Sequence, residues 1–269
     1  MLREPFVAGR FYDADPARLK ASVDACLAQG DGKAEARTLL AMVPHAGYVF
    51  SGPVCGKTLA QANLAPTVLL LGPNHTGFGT RFSLWAEGSW VIPGAELPVD
   101  GELAQAILAC DAGITADTMA HVREHSLEVI LPFLARLDPA TTIVPLTVSS
   151  NIFEELKRVG QAIGQALKAF PRPVSIVVSS DMSHYISSEE ARQLDSMALD
   201  AALKLDPAGL FNTVKANDIT MCGVRPMTVG LFAALELGAT RAELTAYANS
   251  GQVSGDTDQV VGYAGVLVS

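Results

Sequence analysis

The stretch TVLLLGPNH, residues 67–75, decides the fold: a β-rich apolar run breaks off at a Gly-Pro turn and hands directly to a histidine. An apolar run of four to eight residues, bounded by turn residues, reads as a strand covered on both faces. The same signature recurs at TLLAMV (38–43), TTIVPLTV (141–148) and VSIVVSS (174–180). Helical segments separate the runs. Asp15 is placed as an N-cap with Pro16 in the first turn, opening a helix to about Gln29. Further helices are expected near 53–63, 100–109, 125–137 and 152–169, with Pro132 predicted to kink or interrupt the one at 125–137. Helices near 188–204 and 226–236 precede terminal strands at 242–248 and 260–268. No internal repeat, low-complexity tract or linker marks a boundary. The expectation is one α/β domain, residues 1–269, a layered sandwich with a mainly parallel central sheet.

Composition supports this reading and removes several functions. Of 269 residues, 49% are hydrophobic and 17% charged, ample for a core without disulfides. A net charge of -9 and scattered Lys and Arg leave no basic face, so nucleic acid is not an expected partner. No apolar stretch approaches the roughly 20 residues that span a bilayer, and the first residues lack the pattern of a signal peptide. A cytoplasmic protein with no membrane partner is predicted. Cys26, Cys55, Cys110 and Cys222 stand far apart, with no CxxC pair, and are expected to be reduced.

Chemistry collects at strand ends. In open α/β sheets, ligands bind beyond the carboxyl ends of the parallel strands, where loops converge on a rigid frame. Three of five histidines follow three separate strands: His45 in PHAGY, His75 in GPNH and His184 in SSDMSH. Each alone reads as a loop histidine bonded to nearby backbone, but three imidazoles facing one crevice suit a metal or acid–base site. Asp181, three residues before His184, reads either as the carboxylate that orients that ring or as a turn residue. His125, after Glu124, either lines the same pocket or caps a helix, and His121 is placed on the surface. Cys222 precedes a helix starting near Pro226; a thiol at a helix N-terminus has a lowered pKa and ligates metal well, whereas a buried thiol is inert. The stretch GPVCGKT (52–58) imitates a phosphate loop but is one residue short between glycines, and Pro53 lacks an N–H.

Five ordered motifs, PHAGYVFSG (44–52), GPNHTG (72–77), EHSLEVILPFL (124–134), SSDMSHY (179–185) and CG (222–223), closely resemble the Memo family. This is the family of the mediator of cell motility in animals and of AmmeMemoRadiSam system protein B in bacteria and archaea. The resemblance implies a fold like that of class III extradiol dioxygenases, which bind non-haem Fe(II). It also implies that His45, His75 and Cys222 are the metal residues and that His184 is the acid–base histidine, with Asp181 beside it. Phe11, Tyr48, Phe50, Asn74 and His125 are implied to line the pocket. Phe11 and Phe50 replace aromatic residues of animal members with an indole and a phenol hydroxyl, which argues against phosphotyrosine-peptide binding here.

A soft thiolate in place of a carboxylate ligand shifts metal preference toward copper or zinc, so the implied cofactor is a divalent transition metal: iron or copper, with zinc compatible. The function expected from the resemblance is a metal-dependent, O₂-using or redox oxidoreductase. The alternative is a non-catalytic module for a peptide or small ligand, or an accessory protein working with a radical-SAM enzyme.

Overall fold

Along the central strands, successive side chains alternate between two hydrophobic cores, which is why these strands read as unbroken apolar runs. The structure, a computed structural model, describes residues 1–110 and 112–269. Its strands are β1 (Leu2–Arg3), β2 (Leu40–Val43), β3 (Thr67–Pro73), β4 (Phe82–Leu84), β5 (Ser89–Ile92), β6 (Ala95–Pro98), β7 (Thr115–Ala116), β8 (Thr142–Val148), β9 (Val174–Ser179), β10 (Asp181–Ile186), β11 (Ala242–Asn249) and β12 (Val260–Val268). Its α-helices are α1 (Pro16–Leu27), α2 (Tyr48–Gln61), α3 (Gly101–Leu108), α4 (Leu131–Leu137), α5 (Phe153–Ala169), α6 (Ser188–Leu203), α7 (Pro207–Ala216), α8 (Val224–Glu236) and α9 (Gly251–Ser254).

Leu40 and Met42 of β2, Leu69 and Leu71 of β3, and Ile176 and Val178 of β9 face the core covered by α3, α5, α6, α7 and α8. Ala41, Val43, Val68, Leu70 and Val177 face the core covered by α1, α2 and α4. The main sheet runs β10-β12-β2-β9-β3-β8-β4-β7, with β11 added on β12. The centre, β2-β9-β3-β8, is parallel. The flanks are not: β12 pairs antiparallel with β2, β10 and β11, and β4 pairs antiparallel with β8. The sheet is therefore mixed, parallel at the centre and again in the β4-β7 pair at one edge. Strands β1, β5 and β6 form a separate small sheet.

The differences from the sequence expectations have local causes. Helix α2 starts at Tyr48, five residues before the expected start, and carries Pro53 inside it. The segment expected to be one kinked helix is a 3-10 turn, Glu128–Ile130, followed by α4, where Pro132 occupies the first turn and its missing N–H costs nothing. Asp181–Ile186, expected as a loop, is a strand because its backbone pairs with β12. Helix α7 was not anticipated, although Asp206 caps it and Pro207 opens it. Among the described residues, no helix is long and apolar enough to cross a membrane.

A buried ionic knot ties the N-terminus to the segment that enters α4. The Arg3 guanidinium donates to Glu128 Oε2 (2.8 Å) and to the carbonyls of His121 (2.9 Å) and Glu124 (2.6 Å). It also lies 4.1 Å over the Trp90 ring. Glu128 in turn accepts from the N–H groups of Phe6 and Val7 and from the Tyr12 hydroxyl. His121, expected on the surface, is fully buried against Trp85 and Trp90, with Nε2–H donating to the Ser83 carbonyl (2.9 Å). Its burial depends on two tryptophans distant in sequence, which no local pattern around it reveals.

Removing one partner of a buried pair leaves the other charge without compensation. Arg3→Met is expected to destabilise the protein by about 3–5 kcal/mol in urea unfolding; a loss under about 1 kcal/mol, the range of surface pairs, would show the knot to be dispensable. His121 supplies a second expectation. Burial and the nearby Arg3 charge lower its pKa to about 4. Because that lies below the unfolded value near 6.5, the unfolded chain binds the extra proton, and stability present above pH 6.5 is lost as pH falls toward 4. This residue should contribute a loss of about 1.4 kcal/mol per pH unit in that window. Unfolding free energies of wild type and His121→Phe at pH 7 and 5 check it; equal pH dependence in the two would contradict it.

Candidate metal centre

The parallel strands β2 and β3 flank β9, so their carboxyl ends deliver His45 and His75 to either side of Ser179, the last residue of β9. The 124–128 segment closes over this edge. It can approach because Gly72 has no side chain: a Cβ there would stand 2.7 Å from Leu127 Cδ2 and 2.9 Å from Ser126 Oγ. This approach brings in His125. One nitrogen from each of His45, His75 and His125 lies within 4.8 Å of the others, forming a three-histidine group that can hold a metal ion. The His75 and His125 rings stack at 4.8 Å, and His45 meets both edge-on at 5.3 and 5.4 Å.

The surroundings decide which nitrogen of each ring carries its proton. His45 Nδ1 lies 2.6 Å from Ser179 Oγ, whose single proton goes to the Ser126 carbonyl (2.7 Å). The hydroxyl must then accept from Nδ1–H, which leaves Nε2 with its lone pair. His75 Nδ1–H donates to Glu124 Oε1 (2.9 Å), and Glu124 Oε2 accepts the His75 main-chain N–H (2.6 Å). Nε2 of His75 is likewise left as an acceptor. Carboxylate and hydroxyl partners of this kind fix the tautomer and aim the free nitrogen of metal-binding imidazoles. Burial works to raise the Glu124 carboxyl, but the His75 hydrogen bond and charge and the Ser126 N–H outweigh it and hold it at about 2. Burial, reinforced by the neighbouring rings, lowers His45 to about 3 and His125 to about 4. Both are neutral at pH 7 and have lone pairs to give.

The remaining expected residues fall in several places. Cys222 reaches His45: its sulfur lies 3.4 Å from Nε2 and accepts the Asp181 N–H at 3.3 Å. Gly223 makes that approach feasible, since a Cβ there would lie 2.2 Å from Ser180 Cβ. The thiol is not activated as expected for a helix N-terminus. Burial, with the Asp181 carboxylate adding to it, raises its pKa well above normal. Asp181 does not orient His184: its Oδ1 accepts the His45 main-chain N–H (2.8 Å), and burial raises its own pKa. His184 is held by Thr220, whose Oγ1 accepts the His184 N–H (2.7 Å) and whose carbonyl accepts Nδ1–H (3.0 Å). The pairing of β10 with β12 turns Asp181 and His184 to different neighbours, a consequence that their three-residue spacing did not reveal.

Phe11 stacks at 4.9 Å on His125. Tyr48 faces the core instead of the pocket, with its hydroxyl on the Val129 carbonyl (2.8 Å) and its ring against Phe133. Phe50 sits half-buried in the first turn of α2. Asn74 shapes the loop: its side chain accepts from Thr76 and the Gly77 N–H and donates to the Phe78 carbonyl. Sequence reasoning assigned no role to Glu124 or Ser179. The only available signal for Glu124 was a carboxylate next to His125 at the mouth of an otherwise apolar segment.

Known proteins agree with this frame. An uncharacterized protein of Escherichia coli K12, whose crystal structure is solved, matches with a TM-score of 0.52 at 13% identity, covering 84% of this chain and 99% of its own; the likeness is one of fold. A MEMO1 family protein of Aquifex aeolicus is 39% identical over 99% of this chain and 98% of its own length. Another, from Methanosarcina barkeri, is 38% identical over 99% of this chain and all of its own. That of Methanopyrus kandleri is 36% identical over 99% of both chains. The family model described as Memo-like protein matches residues 3–267, and the chain belongs to the Memo family.

Proposed function

We propose that this protein is a metal-dependent redox enzyme in which His45, His75 and His125 hold a divalent transition metal, iron or copper, with zinc compatible. The observation that carries the reading is the donor set: two of three clustered imidazoles have Nδ1–H committed to Ser179 and Glu124, which leaves Nε2 lone pairs inside the cluster. Three imidazoles suit iron, copper and zinc alike. A bound metal would supply Lewis acidity and, as iron or copper, redox capacity.

Cys222 extends the set. Its sulfur stands against His45 Nε2, so a metal that displaced the thiol proton would gain a soft fourth ligand. His184 is the general acid–base group of this reading. With Nδ1–H given to Thr220, Nε2 is the nitrogen left to take a substrate proton. Asp181 contributes by holding the His45 backbone.

Elemental analysis of single variants purified anaerobically and reconstituted alike tests the division of roles. His45→Ala, His75→Ala and His125→Ala are expected to lose metal, while His184→Ala keeps it and loses about 10²–10⁴-fold of turnover with O₂. Cys222→Ser separates a three-histidine site, which it leaves loaded, from one that needs the thiolate. Full metal retention in His125→Ala, with loss in Cys222→Ser, would replace the proposed set by His45, His75 and Cys222. Glu124→Gln keeps the shape of the side chain but removes the charge that orients His75, and should weaken metal affinity by roughly 10–100-fold in a competition titration; unchanged affinity would remove Glu124 from the site.

A further inference from the structure

A cavity of about 480 Å³ opens beside His184 and is not used by the histidine cluster. Its walls include Asn151, just beyond β8, Phe211 and Val214 of α7, Ile219 and Thr220 of the following loop, and Val224 and Arg225 at the start of α8. It lies on the ligand-binding side of the sheet, past the carboxyl end of β8, and it shares Thr220 with His184.

Arg225 is the unexplained residue there. It is half-buried, and among the described residues its guanidinium has neither a hydrogen bond nor an ion pair, its main-chain N–H has no acceptor, and burial alone moves its pKa, downward. It also sits in the first turn of α8, which holds no acidic residue. A cation at that end opposes the helix dipole, so neither packing nor helix electrostatics accounts for it. What resolves both is an anion, which a guanidinium binds in bidentate fashion. The other charges on the wall are Lys215 and Asp218, both exposed, so the net charge of the lining is positive. The rest is largely apolar.

We propose that this cavity binds a small organic carboxylate, with its carboxyl group on Arg225 and its apolar body against Phe211, Ile219 and Val224, within reach of the Thr220–His184 pair. The volume falls within the range of small-molecule sites. Apolar walls favour a carboxylate with a hydrocarbon body over a free phosphate.

The test uses the full chain stripped of metal with a chelator, so that its outcome is independent of the metal reading. Benzoate and, separately, inorganic phosphate are titrated while backbone amide resonances are followed by NMR. Benzoate is expected to shift Thr220, Val224 and Arg225 saturably and to bind more tightly than phosphate. Arg225→Met should weaken benzoate by about tenfold or more, and Arg225→Lys by less, because the charge remains but the fork is lost. Asp218→Asn, at an exposed position whose positive φ suits asparagine, should tighten binding. It keeps the test decisive even if Arg225→Met fails to fold. Absence of saturable shifts, binding unaffected by both Arg225 variants, or phosphate binding at least as tightly as benzoate would overturn the proposal.

Discussion

The site depends on a charge that never meets solvent. Arg3, two residues from the chain start, is buried with Glu128 and fastened to the carbonyls of His121 and Glu124. Isolated ions cannot be buried, so each group forces the others into place: Glu128 gathers the N–H groups of Phe6 and Val7 and the Tyr12 hydroxyl, which fixes the N-terminal segment. That segment then positions Phe11, whose ring covers His125 and whose carbonyl accepts the Tyr48 N–H at the start of α2, three residues after His45. The 121–128 segment, held from the other side, carries Glu124 and His125 to the strand ends. A buried pair of this kind adds little net stability but tolerates few alternative arrangements.

Once assembled, the cluster resists protonation at His45 and His125. Three rings this close cannot all be protonated, and burial penalises each positive charge, so His45 and His125 titrate far below the usual histidine range. The negative charge that matters most is Glu124, kept ionised by His75 and by the Ser126 N–H despite its burial. The same burial pushes the Asp181 carboxyl and the Cys222 thiol upward. The geometry thus gathers three imidazoles that could hold a metal ion, with the Glu124 carboxylate behind His75.

Much of this was legible in the chain. The apolar runs ending in Pro-His, Pro-Asn-His and Ser-Ser-Asp marked β2, β3 and β9 and the sheet edge where His45 and His75 stand, because burial on both faces requires continuous hydrophobicity and backbone turns require Gly, Pro and Asn. The five ordered motifs pointed to the Memo family, and three of them run from the ends of β2, β3 and β9 into the segments that follow. The antiparallel flanks escaped notice, since β10, β11 and β12 carry no local mark of which strand they pair with.

What the sequence by itself determined is the central and C-terminal strands, most of the longer helices, the parallel centre, and the fact that His45 and His75 stand at strand ends. Tertiary structure alone decided their company. Glu124 and His125 join them because Gly72 lets a distant segment close in; Asp181 serves His45 instead of His184 because a strand pairing turned it; His121 lies in the core because two tryptophans enclose it. Each of these rests on contacts between residues far apart in the chain, where spacing carries no information. Protonation follows the same rule, since a pKa reports the burial and neighbours of a group rather than its residue type.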